Sequence, residues 1–185
     1  MRTRTFAITC LGWLLILGGC SKVIRTDACS DQETNFATYK TFAFLDQSGK
    51  PARLDDPLAK TPDSRQAVRQ IVESKLSEQG ITRDRINDAD FLIAIYAGDD
   101  DKLTAEMTRW HYSFGRHWHF EDDKSYTKGS LILDFFDNEE NRLIWRGSIP
   151  GLVNDDGKLS GKTEEAISEL LDTYPPDLQP RKSGF

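Results

Sequence analysis

Side chains able to do chemistry are densest between Arg109 and Phe120. This run holds all three histidines of the chain, His111, His117 and His119, and two of its four tryptophans, Trp110 and Trp118. In an extended backbone His117 and His119 share a side, because alternate residues of a strand point the same way. Imidazoles so placed bind zinc or copper, with His111 as a third ligand. The same run also reads as a contact surface. Trp110, Tyr112, Phe114, Trp118 and Phe120 each bury a large area while ordering few rotors, which is what anchors an interface. Trp and Tyr also suit the polar boundary of a bilayer. A third reading folds these aromatics back onto the domain's own sheet as a long hairpin.

Elsewhere the chain is poor in catalytic groupings. It has no G-x-S-x-G elbow, no P-loop and no dinucleotide fingerprint. The acidic runs Asp99–Asp101, Glu121–Asp123 and Asp155–Gly157 lack the spaced oxygen ligands of an EF-hand loop and read as turns. Asp134 is expected at the solvent or paired with Arg146, and Trp145 in the core. Gly147 fits a bulge or the close approach of a helix.

The N-terminus has its own pattern. Arg2 and Arg4 precede an apolar run from Phe6 to Leu17, and Gly18-Gly19 leads into Cys20. That is the layout of a secretory signal, and the run is short of the ~20 residues a transmembrane helix needs. Leu17-Gly18-Gly19-Cys20 resembles the lipobox of bacterial lipoproteins. The resemblance implies cleavage after residue 19, a diacylglycerol on the Cys20 sulfur and an acyl chain on its new amino group. Several chains hold a protein firmly where one holds weakly, since each buried methylene contributes ~0.8 kcal/mol. Ser21 stands where Asp resembles an inner-membrane retention signal, so the expected address is the outer membrane, facing the periplasm. The partner implied is the lipid bilayer, through Cys20, and no non-covalent cofactor is expected. Cys10 leaves with the signal and Cys20 is blocked, so Cys29 is the remaining thiol, expected to be unpaired.

Removing the signal takes away two arginines and no acid, so the formal charge of −6 becomes −8. So acidic a chain is a poor match for nucleic acid. About 165 residues remain, enough for one domain with one core. Residues 20–38 are polar and aperiodic and read as a tether. Residues 39–176 carry the domain, and 177–185 a loose tail.

Within the domain, Thr41 to Leu45 reads as a strand with Phe42 and Phe44 on one face, and Gln47 to Thr61 as a loop. A helix follows from Pro62 to about Gln79, with Thr61 as its cap, Val68, Ile71, Val72 and Leu76 on its inner face, and Gly80 closing it. Phe91 to Ala97 is apolar on both faces, as a central strand should be. A weaker strand is expected from Leu103 to Tyr112. Ser130–Phe136 and Arg142–Ile149 form a hairpin, with Leu143, Trp145 and Ile149 on one face. A last helix runs from Thr163 to about Thr173 and stops at Pro175-Pro176. The fold class expected is α+β: a two-layer sandwich whose mixed β-sheet of four or five strands is covered on one face by two helices.

Tyr39-Lys-Thr-Phe-Ala-Phe44, Ala89-Asp-Phe-Leu-Ile93, Tyr126-Thr-Lys-Gly-Ser-Leu-Ile-Leu-Asp134, Leu143-Ile-Trp-Arg-Gly147 and Tyr174-Pro-Pro176 together resemble the bacterial lipoproteins classed as domain of unknown function 4136. The resemblance covers Asn35 to Pro176. It is most specific from Gly129-Ser-Leu-Ile-Leu-Asp134 to Trp145-Arg-Gly147. It implies a lipid-anchored domain of the cell envelope and transfers no catalytic residue. The chain departs from it at Trp110–Phe120, where similar members carry a Gly- and Tyr-rich stretch. The expected role is a non-enzymatic binding or assembly module meeting an envelope protein. The alternative is a periplasmic metal-binding lipoprotein using His111, His117 and His119. A hydrolase ranks last, for want of a nucleophile–base pair.

Overall fold

A computed structural model describes residues 26–31, 33–45, 56–98 and 129–176. Their elements, in chain order, are β1 (Asp27–Ser30), β2 (Thr41–Phe44), α1 (Pro62–Glu78), β3 (Thr82–Arg83), β4 (Phe91–Gly98), β5 (Ser130–Asp137), β6 (Leu143–Ile149) and α2 (Thr163–Leu171). The strands form one mixed sheet in the order β1-β6-β5-β4-β2-β3. β2 runs parallel to β4 and β3, and the other pairs are antiparallel.

The sheet has six strands, not four or five. Both additions are edges that carry no hydrophobic alternation. β1 reads Asp-Ala-Cys-Ser and lies within the stretch expected to be tether; β3 is two residues long, and both are exposed. Backbone pairing makes these strands, and periodicity cannot announce them. The strand expected from Leu103 to Tyr112 lies outside the described residues.

Helix α1 forms where Pro62 sets the first turn and Val68, Val72 and Leu76 recur on one side, all fully buried. Burying each contributes about 1.5–3 kcal/mol. Gly80, at φ +80°, ends it: its N–H donates to the Ser77 carbonyl, that of Ile81 to the Leu76 carbonyl, and Ile81 is itself buried. This is the left-handed stop with its accompanying apolar contact. Thr61, expected to cap the helix, makes no side-chain bond to it. Its hydroxyl instead donates to the Asp156 carbonyl at 2.8 Å.

α1 and α2 contact each other, and their apolar sides share one core with Phe42, Phe44, Phe91, Ile93, Ile95, Leu131, Leu133, Phe135, Trp145 and Ile149. At its centre lie rings in close contact: Phe135–Trp145 at 4.6 Å between centroids, Phe135–Tyr174 at 4.8 Å and Phe91–Phe135 at 5.1 Å. Leu143 does not join Trp145 on this face. A bulge between Phe135 and Phe136 breaks the alternation, pairs Leu143 with Phe136, and puts Ile144 into the helix-side core instead.

The second face of the sheet is not open. Leu92, Ala94, Tyr96, Ile132, Asp134, Phe136 and Arg146 are all buried. Two-sided burial explains why β4 reads as an unbroken apolar run.

Candidate functional site

The second face holds the described domain's most concentrated polar chemistry. β5 and β6 place Asp134 directly opposite Arg146, and β4 places Ala94 opposite Asp134, so Tyr96 stands one step diagonally away. Arg146 grips the carboxylate with two atoms, Nε to Oδ1 at 2.6 Å and Nη2 to Oδ2 at 2.5 Å. The Tyr96 hydroxyl donates to the same Oδ2 and lies 3.2 Å from Arg146 Nη2. All three side chains are buried. The fork-on-carboxylate geometry is the strongest form of ion pair, and inside a protein it offsets the several kcal/mol each charge costs to desolvate. Because Asp134 accepts three charge-assisted bonds, its lone pairs are committed to holding β4, β5 and β6 together.

Asp56 forms a second buried hub. Its carboxylate accepts the N–H of Leu58 at 3.0 Å, the N–H of Ala97 at 3.1 Å and the Arg65 guanidinium at 2.7 Å. It thereby ties the short 3-10 turn Pro57–Lys60 and the start of α1 to the end of β4. Gly129, at φ +76°, closes the other side, its carbonyl accepting the Val153 N–H at 3.0 Å. A side chain there would put Cβ 2.1 Å from the Val153 carbonyl oxygen.

These contacts converge where Gly98 pairs with Ser130. The described chain stops at Gly98 and resumes at Gly129, so this pair marks where the stretch 99–128 joins the described domain. Trp110, His111, Tyr112, Phe114, His117, Trp118, His119 and Phe120 themselves lie outside the described residues, as does Cys20. Among the described residues no group of three or more His, Cys, Asp or Glu side chains is arranged as a metal site. Of the two expectations for Asp134, the pair with Arg146 is found and the solvent-facing placement is not, since the carboxylate is fully buried; Tyr96, Asp56 and Arg65 were missed. Asp56 did carry a signal: an acid just before Pro57 is a common way to start a helical turn.

On the helix side, burial raises the Tyr39 hydroxyl well above its ordinary pKa, and its 2.6 Å bond to Asp137 adds to the effect. Tyr174 is raised chiefly by burial, with Asp90 as the lesser cause, and its hydroxyl has no hydrogen-bond partner. Asp90 is shifted the other way. Burial alone would raise its carboxyl, but the N–H groups of Lys40 at 2.7 Å and Thr41 at 2.8 Å, with the Thr41 hydroxyl, outweigh that and hold it below the usual range.

A depressed carboxyl stabilises the fold above its unfolded pKa of about 3.9, and that contribution is lost as pH falls through the lower folded value. Asp90→Asn is therefore expected to cost about 1 kcal/mol at pH 7, the exposed site being screened. The difference from the parent should shrink below pH 4. Urea titrations at both pH values check this, and a difference that persists in acid would rule out the carboxylate as its source.

Residues 26–176 match the family model described as Domain of unknown function (DUF4136). Among solved structures, a DUF4136 family protein from Bacteroides thetaiotaomicron VPI-5482 aligns with TM-score 0.57 at 12% identity, over 82% of this chain and 96% of that one. A PDZ domain protein from Parabacteroides distasonis ATCC 8503 aligns with TM-score 0.53 at 14% identity, over 83% of this chain and 36% of that one. No curated protein sequence matches the chain. At these identities the likeness concerns the fold.

Proposed function

The chain belongs to the DUF4136 family, and from that premise we propose that it is an outer-membrane lipoprotein facing the periplasm, anchored through acylated Cys20, whose domain serves as a non-enzymatic binding or envelope-assembly module. The observation that carries this reading is Leu17-Gly18-Gly19-Cys20 standing six residues ahead of the family domain, which begins at residue 26. Among the described residues no helix is long and apolar enough to cross a membrane. The pairing of Asp134 with Arg146, and of Asp56 with Arg65 and two backbone N–H groups, supports a scaffold role over proton transfer. The run with Trp110, Tyr112, Phe114, Trp118 and Phe120 is the surface offered to an envelope protein. Metal binding through His111, His117 and His119 is the second reading, on the strength of three imidazoles within nine residues.

In-cell crosslinking from the native envelope, followed by affinity purification and mass spectrometry, tests the module. One dominant partner is expected, lost when the five aromatics are changed to Ser in a variant that stays folded. Cys20→Ala is expected to abolish lipid labelling and signal removal. A lipidated, membrane-bound Cys20→Ala protein would overturn the anchor. Absence of any specific partner, with zinc or copper bound more tightly than ~10 μM (about −7 kcal/mol), would put the metal reading first.

A further inference from the structure

A lipid anchor close in sequence to an edge strand biases which side of the domain meets the membrane, because the strand nearest the anchor has the shortest leash. Seven peptide steps separate Cys20 from Asp27, the first residue of β1. Whatever path they take, they span at most about 25 Å, because a chain reaches no more than 3.3–3.6 Å per residue. β1 is also an edge strand, with the whole sheet on its other side. Across the sheet, β3 lies five strand spacings away, about 24 Å at 4.8 Å each.

Peeling β1 to lengthen the leash would break both its backbone pairing and the side-chain contacts at its end. Its four residues pair with Trp145–Ser148 of β6, and the Asp31 N–H donates to the Ile144 carbonyl at 2.9 Å. Arg142 then clamps the strand's exit. It pairs with Asp31, its Nη1 lies 3.1 Å from the Thr34 hydroxyl, and its Nε lies 3.0 Å from Glu140. The Thr34 hydroxyl in turn donates to Asp31 at 2.8 Å.

Resting on the lipid-anchor reading, we propose that the β1 edge is the bilayer-facing edge of the domain. Asp27–Ser30 stays within about 25 Å of the lipid surface, while β3 and the turn after it, with exposed Ile86, face the periplasm. The partner at this edge is the lipid surface itself. The acidic charge of the domain gives no attraction to anionic headgroups, and the leash bounds the distance.

The test uses the full lipidated protein in phosphatidylcholine vesicles containing a headgroup-labelled acceptor lipid. A donor dye is placed by Ala28→Cys or by Thr82→Cys, each with Cys29→Ser; both sites are exposed. Energy transfer is expected to be severalfold stronger from position 28. Inserting about twenty Gly/Ser residues between Lys22 and Val23 should bring the two positions together, because a flexible linker of that length wanders over distances comparable to the sheet's width. Equal transfer from both positions of a vesicle-bound, uninserted protein would overturn the proposal and leave the anchor standing. Protein that stays in the supernatant, without acyl label, would overturn the anchor and the proposal with it.

Discussion

Arg146→Ala is expected to destabilise the domain by about 3–5 kcal/mol, because it strands the Asp134 carboxylate in a site that gives it no water. Against a total stability of about 5–15 kcal/mol, that is a fifth or more of the margin. The Tyr96 hydroxyl would remain as a donor but carries no charge to balance the acid. Asp134→Ala should cost a similar amount for the mirror reason. Tyr96→Phe removes one hydrogen bond to a charged group and should cost only about 1.5–3 kcal/mol. The informative comparison is the double variant Asp134→Leu with Arg146→Met, which removes both charges and is expected to recover most of the loss. Urea midpoints at pH 7, with far-UV dichroism to confirm the native sheet, give all four values. An Arg146→Ala protein within 1 kcal/mol of the parent would mean that the pair is not closed off from solvent.

The other large effect is expected on the helix side. Trp145 is almost fully buried, and its ring packs on Phe135 at 4.6 Å and on Tyr174 at 5.5 Å. Trp145→Ala should cost about 3–5 kcal/mol as a cavity opens between β6 and α2. Gly147 makes that packing feasible: a Cβ there would lie 2.4 Å from Trp145 Cη2 and 2.7 Å from Leu170 Cδ2. Gly147→Ala alone should therefore destabilise by about 1–3 kcal/mol through overpacking. Because the added methyl and the removed indole compete for one space, the double variant should lose less than the sum of the singles. Strict additivity in thermal or urea unfolding would show that the two sites do not share that space.

What the residues announced and what they concealed divide along a physical line. Amphipathic spacing revealed α1 and α2, and the two-sided apolar run revealed β4, because burial writes itself into composition. Trp145 and Gly147 were legible together, a large ring beside a residue without one. The bulge at Ile144 was not, since it changes the facing of Leu143 without changing any residue type. β1 and β3 were hidden for a different reason. They are bound by backbone groups that every sequence supplies. On the second face, opposite charges at Asp134 and Arg146 could be paired from the hairpin register alone, whereas Tyr96 required knowing that β4 lies beside β5. Asp56 reaches Ala97 across 41 positions, a distance that local patterns do not bridge.

The place of β1 also sets the order in which the molecule can be finished. Its partner strand lies more than a hundred residues further along the chain, so this pairing is among the least local in the fold. Contacts so far apart in sequence form slowly, and this one can begin only once Leu143–Ile149 has been synthesised. Until β1 docks, the β6 edge that receives it is an unsatisfied row of donors and acceptors, open to any passing strand. A nascent chain of this design thus exposes that edge for longer than its modest size would suggest.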